Sequence, residues 1–554
     1  MDNNNNNDNR SKNFYLNPFI VTSMASWQQS ATMWMEIYKE IVTRSQKISK
    51  SWSDTLWKTW TSEEDLQSKV NVSLQGHIND NNNKNKNNKK KMRALILQGG
   101  GSVGAFQAGA FKALYEKISR EDKENGNEER PLFDIIAGTS IGAINAAVLV
   151  SHVVENKTWK GSSEKLVEFW KYLSCPTPDI TKISANWKKE HDKNNPNAAS
   201  AEAARRYYSV KEFLKSGVDK VYSPILPPKE DEKFFDQQNK RIQYNKQPLQ
   251  KSIEKFVKFP IATTYEKGEP RLLIVSVDAT EGATVTFDSY EKGKDRNGKD
   301  IRKTIYYEQS SQEKKQQQPI VIEYDDGIKI QHVMASASLP EFYEYEEISG
   351  HKFWDGGLLS NTPIRELIQA HKDFWEYKLD SKELENSILE EASFNVPDLE
   401  LYIVNLWHSD DDVAPSDPDG MTERLRDIKL HDQYYLKESI HLTHYIHLIE
   451  KLLQLGIISK DNNNNNYKLK KDINKILQNY TASIDTTEIP KKYLDIIKIQ
   501  FKITKIESIE RRDDPDTISA KDGDFTSETI NKLIRDGYES TWRKYSPFVL
   551  QHQP

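Results

Sequence analysis

The chain has 554 residues, a formal net charge of −5, and 29% charged residues. This length allows two or three domains and a large buried core, and the near balance of charges excludes the global basic field that non-specific nucleic-acid binding requires. We therefore expect no nucleic acid among its partners. The single cysteine, Cys175, excludes an internal disulfide framework and fits a reducing compartment.

Asparagine-rich runs divide the chain. Residues 1–13 contain one such run, residues 79–91 form a second that is mixed with lysine, and Asn462–Asn466 form a third. Polar tracts of this kind bury too little apolar surface to fold, which predicts disordered linkers or loop insertions. The chain also opens without a basic segment followed by an apolar run, and it has no clean transmembrane run, so we expect a cytoplasmic protein.

Residues 14–64 differ in character from the tracts on either side. Large apolar residues recur there at a strict seven-residue spacing, at Ile20, Trp27, Trp34, Ile41 and Ile48. This spacing predicts an amphipathic helix or a coiled-coil strand. One alternative is that the helix packs on its own globular domain. The linker at residues 65–91 favours self-association, or peripheral contact with a membrane, lipid or polyester granule surface through residues 14–60.

The globular region begins at Met92. Arg93–Leu97 has the apolar run of a buried strand, residues 98–104 are a glycine-rich loop, and Ala105–Ile118 has the pattern of a helix. After a charged loop that is predicted at Arg120–Arg130, a second strand and a second helix follow. Two β–α units in succession predict an α/β fold with a mostly parallel sheet.

Further elements are predicted from shorter patterns. Three more strands are predicted, at Arg271–Val277, Gln317–Tyr324 and Leu399–Leu406. A fourth candidate strand, at Leu494–Ile506, alternates isoleucine with other residues. Residues 183–260 are polar and interrupted by prolines, which predicts a helical insertion or cap. Residues 411–554 are predicted to form a mostly helical C-terminal part, with its longest helix at Leu430–Leu455.

The second β–α unit centres on Ser140. The apolar segment Phe133–Ala137 runs into the turn Gly138-x-Ser140-x-Gly142 and then into an alanine-rich helical segment. A strand-to-helix corner that exposes a serine hydroxyl has this pattern, and Gly138 and Gly142 permit its sharp turn. Ser140 is therefore a candidate nucleophile.

The glycine-rich loop before the first helix permits three interpretations. The first is a dinucleotide site, because the loop matches the dinucleotide fingerprint. The second is an oxyanion hole, because unhindered backbone N–H groups at a helix N-terminus stabilise negative charge. The third is a plain tight turn. A nucleotide site would also need an acidic residue at the end of a second strand, whereas Glu121 and Asp122 fall in the predicted charged loop. The serine turn that follows leaves a nucleotide-binding protein as a remote alternative. It favours an oxyanion hole formed by Gly99, Gly100, Gly101 and Gly104.

A serine nucleophile needs a base. A Ser–Asp–His hydrolase could place its histidine at one of three positions, His371, His408 or His431. The alternative base is Asp355, which is followed by Gly356 and Gly357. Because these glycines lack side chains, backbone can approach the carboxylate closely. Both kinds of base stay open on these residues alone.

Together, the three motifs resemble those of the patatin-like phospholipases. Gly99-Gly100-Gly101-x-x-Gly104, Gly138-x-Ser140-x-Gly142 and Asp355-Gly356-Gly357 occur in that family's order, and residues 335–340 also resemble it. The loop beginning Leu97-Gln98-Gly99 is similar to that of bacterial-type members. Gln98 stands where many patatins have Asp, and Val103 where many have Arg or Lys. The resemblance covers about residues 92–407.

The resemblance implies a three-layer α/β/α sandwich, in a catalytic domain at residues 92–410. It implies a dyad of Ser140 and Asp355, without histidine, that hydrolyses lipid acyl esters through an acyl-enzyme, as a phospholipase A or esterase does. Gly356 and Gly357 would support the aspartate. The alternatives are a non-catalytic lipid- or granule-binding scaffold and a hydrolase of intracellular polyester or another acyl ester.

No cofactor or metal is expected for this chemistry. The histidines at 441, 444 and 447 mark one face of a predicted helix rather than a zinc site.

Overall fold

The computed structural model describes residues 91–178, 198–225, 244–294, 298, 300–307, 319–340, 342–378, 396–408, 414–415, 418–432, 481–482, 491–492, 501–512 and 520–545. The predicted helix at residues 14–64, the third asparagine run, the histidines at 441, 444 and 447, and most of the predicted helix at 430–455 lie outside the described residues. Attachment through residues 14–60 therefore stays a prediction.

The chain divides into two compact units. The first comprises Met1–Asn88 and Lys475–Tyr493, and its described residues pair as a short antiparallel ladder of Thr481–Ala482 with Lys491–Lys492. The second comprises Lys89–Asn474 and Leu494–Pro554 and contains all other described residues. The predicted boundary near residue 410 therefore falls within this second unit.

The second unit alternates strands and helices. Its strands are β1 (Lys91–Leu97), β2 (Ile135–Thr139), β3 (Ser223–Pro224), β4 (Tyr244–Asn245), β5 (Arg271–Asp278), β6 (Ala283–Asp288), β7 (Lys303–Tyr307), β8 (Pro319–Glu323), β9 (Glu346–Ile348), β10 (His351–Asp355), β11 (Asp398–Asn405) and β12 (Ile503–Glu510). Its helices are α1 (Ala105–Glu124), α2 (Ile141–Asn156), α3 (Ser162–Leu173), α4 (Ala198–Ser216), α5 (Gln247–Phe256), α6 (Ile330–Ser336), α7 (Ile364–Lys378), α8 (Pro418–His431) and α9 (Ser527–Tyr545). Short 3₁₀ turns lie at Gly101–Gly104, Gly356–Leu358 and Lys521–Gly523.

One large mixed sheet organises this unit. Its strand order is β12-β11-β1-β2-β5-β10-β9, and β6 also pairs with β5. The four pairings from β12 to β5 are parallel, whereas β6, β10 and β9 pair antiparallel. The prediction of an α/β fold with a mostly parallel sheet is therefore confirmed.

Both faces of the sheet are buried. Side chains on a strand alternate between faces, so Leu95 and Leu97 of β1 lie in one apolar core and Ala94 and Ile96 lie in the other. Residues of α1, α2 and α3 fill the first core, and residues of α7 fill the second. This arrangement gives the three layers that the family resemblance implied, and it explains why the strands are apolar throughout.

Several predicted elements differ in extent or position. Helix α1 continues to Glu124, six residues past its predicted end, and so contains the first residues of the predicted charged loop. Salt bridges from Lys117 to Glu121 and from Arg93 to Asp122 stabilise these added turns. The strand predicted at 494–506 is β12, which begins only at Ile503. The predicted strand at 317–324 is β8, which pairs with β7 outside the large sheet.

Helix α9 packs closely on α1. A Cβ atom on Gly109 would overlap the carbonyl oxygen of Ile534, and one on Gly537 would overlap that of Phe106. The two glycines therefore allow the helix backbones to touch, and the C-terminal helix covers the same face of the sheet as α1. Among the helices that the structure describes, none is both long and apolar enough to span a bilayer.

Candidate active site

Ser140 lies at the corner between β2 and α2. Its backbone angles are φ 56° and ψ −125°, a combination that residues with side chains rarely adopt. The flanking glycines leave no space for a side chain, because a Cβ on Gly138 would overlap the backbone of Gly142 and one on Gly142 would overlap the carbonyl oxygen of Leu97. The corner is therefore the sharp strand-to-helix turn that the motif predicts, with the serine at its apex.

Asp355 ends β10, which is next to β5, which in turn is next to β2. The Ser140 hydroxyl donates a hydrogen bond of 2.6 Å to Asp355 Oδ2. The amide N–H of Gly357 donates to the other carboxylate oxygen at 2.8 Å, and Gly356 has no room for a Cβ beside the carbonyl oxygen of Val275. Two residues that are 215 positions apart in sequence thus form a hydroxyl–carboxylate pair.

Burial changes the acidity of this carboxylate. Asp355 is 4% exposed, and removal from water raises its pKa to about 6, against the lowering effect of the hydrogen bonds from Ser140 and Gly357. The group is still mostly ionised at neutral pH. The pKa of Asp355 therefore lies closer to neutral pH than that of an ordinary aspartate, which suits a general base.

The three candidate histidines have other partners. His371 donates to the carbonyl of Pro397 at 3.0 Å, His408 donates to that of Arg511 at 2.7 Å, and His431 donates to that of Trp407. Within the described residues no histidine is hydrogen-bonded to Ser140, whose hydroxyl partner is Asp355. This geometry favours the aspartate among the two kinds of base that the sequence left open.

The glycine loop runs directly beside the serine. A Cβ atom on Gly99 would lie 2.8 Å from the Cβ of Ser140. The N–H of Gly99 donates to Asn361 Oδ1 at 3.1 Å, so this amide is already paired. The N–H groups of Gly100 and Gly101 have no hydrogen-bond acceptor among the described residues. Gly104 packs against the side chain of Ile141, the residue after the serine.

The structure therefore divides the four predicted oxyanion glycines into two kinds. Within the described residues the amides of Gly100 and Gly101 have no acceptor, whereas Gly99 and Gly104 allow close packing between the loop and the serine corner.

Side chains outside the predicted site residues support this geometry. The carbonyl of Gly99 accepts hydrogen bonds from Trp407 Nε1 at 2.7 Å and from Asn361 Nδ2 at 3.3 Å. Gln98 donates to Thr362 Oγ1 at 2.6 Å. The position of Asn361 just after the Asp-Gly-Gly turn was the one local signal for it, and Trp407 offered none.

The segment at residues 335–340 supports both members of the pair. Ser336 Oγ accepts from the N–H of Ser140 at 2.9 Å and donates to the carbonyl of Val275 at 2.6 Å. The carbonyl of Ser338 accepts from the N–H of Asp355 at 2.9 Å. The sequence of this stretch indicated only a family resemblance, whereas its hydrogen bonds to Ser140 and Asp355 give it a physical role.

The arrangement does not resemble a dinucleotide site. Asp122 lies on the last turn of α1 and pairs with Arg93, with Nη1 2.6 Å from Oδ2. The end of the second strand, where the ribose-binding acid would stand, is occupied by Thr139 and Ser140. In the part of the chain that the structure describes, no cluster of three or more His, Cys, Asp or Glu side chains is suited to hold a metal ion.

Comparison with known proteins adds a family. Residues 95–368, just under half of the chain, match the family model described as Patatin-like phospholipase. No curated protein matches the chain. Among solved structures, VipD from Legionella pneumophila is 12% identical, with a TM-score of 0.24, over 82% of this chain and 66% of that chain. The alignment thus spans slightly less than two thirds of VipD, and a likeness of this size supports no inference about activity. The family match indicates a patatin-like phospholipase domain at residues 95–368, and hence a lipid acyl hydrolase family.

Proposed function

We propose that this protein hydrolyses carboxylic esters of lipids, with Ser140 as the nucleophile and Asp355 as its base. The observation that carries the proposal is the 2.6 Å hydrogen bond from Ser140 Oγ to Asp355 Oδ2 at the strained corner. A serine hydroxyl is a weak nucleophile until a base takes its proton, and here a carboxylate with a raised pKa is in direct contact with it.

The reaction would proceed through an acyl-enzyme. Asp355 Oδ2 accepts the proton of Ser140 Oγ as this oxygen attacks the acyl carbonyl carbon and forms a tetrahedral intermediate. The intermediate collapses when the C–O bond to the alcohol breaks, and the departing oxygen takes the proton from Asp355. Water then gives a proton to Asp355, attacks the acyl-enzyme and releases the fatty acid. The serine oxygen recovers its proton from Asp355.

The amides of Gly100 and Gly101 are the proposed oxyanion donors. They are the loop glycines without an acceptor among the described residues, and they precede the N-terminus of α1, where the helix dipole favours negative charge. Loss of a single donor in a comparable site lowers kcat by about 100- to 1000-fold.

The family match at residues 95–368 supports lipid esters as the substrate class. Leu359, directly after the 3₁₀ turn that bears Gly356 and Gly357, is 40% exposed and offers apolar surface near the pair. The Ser140–Asp355 contact counts against the alternative of a non-catalytic scaffold, which would need neither residue.

A serine-reactive fluorophosphonate tests the nucleophile. The wild-type protein should be labelled and Ser140→Ala should not, because the probe phosphorus would bond to Ser140 Oγ. Ser163→Ala, which changes a buried serine on α3 that donates to Glu164, is the matched control and should label like the wild type. Equal labelling of Ser140→Ala and the wild type would overturn the assignment.

The base is tested with Asp355→Asn, which should abolish hydrolysis of a short soluble ester while far-UV circular dichroism stays unchanged. His371→Gln should retain nearly all of the activity, because His371 bonds to the backbone of Pro397 away from the pair. A large loss with a folded His371→Gln protein would instead favour a Ser–Asp–His triad.

A further inference from the structure

A turn from the far C-terminal part of the chain lies directly on the glycine loop. The Ser102 hydroxyl donates to the carbonyl of Lys521 at 3.3 Å, between residues 419 positions apart. A Cβ atom on Gly101 would lie 2.5 Å from the carbonyl oxygen of Asp522, and Gly101 has a φ of 52°. The 3₁₀ turn Lys521–Gly523 is therefore in backbone contact with one of the two proposed oxyanion donors.

Charged side chains of α8 hold this turn. Arg426 and Asp522 form a two-point pair, with Nη1 2.7 Å from Oδ1 and Nη2 2.6 Å from Oδ2. Lys521 Nζ lies 3.2 Å from an oxygen of Asp427 and 3.3 Å from one of Glu423. Paired hydrogen bonds between a guanidinium and a carboxylate fix orientation as well as distance, so the turn has a defined position relative to α8.

The same charged groups flank the second support of the loop. The guanidinium carbon of Arg426 lies 5.6 Å from the centre of the Trp407 ring, and Lys521 Nζ lies 5.7 Å from it. Trp407 in turn donates to the carbonyl of Gly99. The cluster thus reaches the loop twice, at Gly99 through Trp407 and at Gly101 through the backbone of Asp522.

A loop with three consecutive glycines needs such external support. Glycine populates a wide range of backbone angles, whereas oxyanion donors must hold a fixed position before the charge develops. Placement errors of about half an ångström already weaken a catalytic site. Neither Arg426 nor Asp522 lies within the residues that match the family model, so the family motifs do not account for them.

We propose that Asp522, held by Arg426, is a positioning residue for the oxyanion hole, and that it acts through Gly101. The pair fixes where the amides of Gly100 and Gly101 lie relative to Ser140. This inference rests on the proposed function, since it concerns the same reaction. A purely structural role of the pair would lower stability without a specific effect on the charged intermediate.

The test compares Asp522→Ala, Arg426→Ala and the double variant in the full chain. A short soluble ester gives kcat and KM, and a trifluoromethyl ketone, whose adduct with the serine bears an oxyanion, gives an inhibition constant. Each single variant should lower kcat about 10- to 100-fold, less than outright loss of a donor, with KM changed by no more than about threefold. Affinity for the ketone should fall in parallel with kcat. The double variant should be no worse than the poorer single variant, because the two residues act as one unit.

Arg130→Ala is the matched control. Arg130 pairs with Glu400 at 2.9 Å, with side-chain exposures of 25% and 12% against 27% and 17% for Arg426 and Asp522. The control pair lies beside Lys91, at the start of β1, whereas the glycine loop follows the other end of that strand. Its loss should leave kcat and ketone affinity unchanged.

The outcomes separate the two proposals. If the wild type shows neither hydrolysis nor labelling that depends on Ser140, the proposed function fails and this inference fails with it. If the wild type hydrolyses the ester, and folded Asp522→Ala and Arg426→Ala retain kcat and ketone affinity within about twofold, this inference alone is wrong. Should the alanine variants not fold, Asp522→Asn and Arg426→Lys give the same comparison with smaller structural change, and the same twofold criterion decides.

Discussion

The serine corner and the glycine loop are built alike but are held in place by different parts of the chain. Each follows one of two adjacent parallel strands, β1 or β2, and each leads into a helix. The turn of the corner is shaped mainly by its own glycines, since Gly138 and Gly142 allow its backbone to close on itself and on β1, and one distant contact, from the N–H of Ser140 to Ser336, supports it. The loop instead depends on Asn361, Trp407 and the turn at 521–523. The turn that bears the proposed nucleophile is thus shaped mainly by local sequence, and the proposed oxyanion donors are positioned by contacts distant in sequence.

We expect the largest effects from glycine substitutions, which should damage folding at the serine corner and activity at the glycine loop. Gly142→Ala should yield little or no folded protein, because the new Cβ would overlap the carbonyl oxygen of Leu97 inside the sheet. Gly101→Ala should yield folded but nearly inactive protein, because the opposing atom is a backbone oxygen of the turn at Asp522, outside the sheet, and the overlap would push the glycine loop out of place rather than disrupt the sheet. Soluble yield, circular dichroism and ester hydrolysis measure the difference.

Gly293→Ala is the control for both variants, since no atom of the described residues lies within 4 Å of its Cβ position. If Gly142→Ala folds normally, the corner is not fixed by local sterics and the comparison fails.

The pH dependence of kcat/KM should reflect the ionisation of Asp355 beside the serine corner and should not depend on the glycine loop. Asp355 must be ionised to accept a proton, and its raised pKa of about 6 means that activity is lost as pH falls through that value. Below this pH the rate should decline about tenfold per pH unit. Asp522→Ala should lower the plateau without moving the midpoint. A midpoint near 4, the ordinary value for an aspartate, would show that burial does not raise the pKa of Asp355 in the active enzyme, and a shifted midpoint in Asp522→Ala would show that the loop and the corner are coupled.

Removal of one remote support should have a smaller effect. Trp407→Phe removes the indole donor to the carbonyl of Gly99 while it keeps an aromatic ring, and we expect kcat to fall by about 5- to 10-fold, as for a lost neutral hydrogen bond of about 1 kcal/mol. Trp375→Phe is the matched control, since the buried indole nitrogen of Trp375 has no hydrogen-bond partner among the described residues. Equal kcat values for the two variants would mean that the bond to Gly99 does not position the loop.

The smallest expected effect measures strain at the corner. Ser140→Gly should be more stable than Ser140→Ala by about 1 kcal/mol, because only the alanine pays for a positive φ at that position. Denaturant unfolding of the two inactive variants gives the difference. If the alanine variant is the more stable, the turn at Ser140 is relaxed.

The sequence predicted the serine corner and the Asp-Gly-Gly turn at Asp355 because the residues of each are consecutive. The five residues Gly138 to Gly142 are enough to specify the sharp backbone turn, and the three residues Asp355 to Gly357 specify the second turn. Apolar runs such as Arg93–Leu97 likewise predicted the parallel strands, since strands buried on both faces need them. Catalysis by Ser140 and Asp355 is a proposal, which the fluorophosphonate and Asp355→Asn experiments test.

The rest depends on partners that a local pattern does not specify. The alternating pattern at Leu494–Ile506 does not show where β12 begins. The strand begins at Ile503 because this residue pairs with Leu399 of β11. The β8 sequence is that of a strand, but only the fold shows that it pairs with β7. Asn361 and Asp522 are ordinary polar residues until the chain brings them against Gly99 and Gly101.

The close contact of α1 with α9 has a consequence for how the chain folds. Tyr538 of α9 donates a hydrogen bond of 2.8 Å to Glu116 of α1, 422 positions earlier in the sequence. The first helix of the sandwich therefore cannot complete its packing until one of the last segments of the chain has been synthesised. Contacts this distant along the chain raise contact order and slow folding. During synthesis, the side of α1 that faces α9 stays open to water or to a chaperone. A fragment that ends at residue 368, where the family match ends, would keep the motifs but lack both α9 and the neighbouring strands β11 and β12.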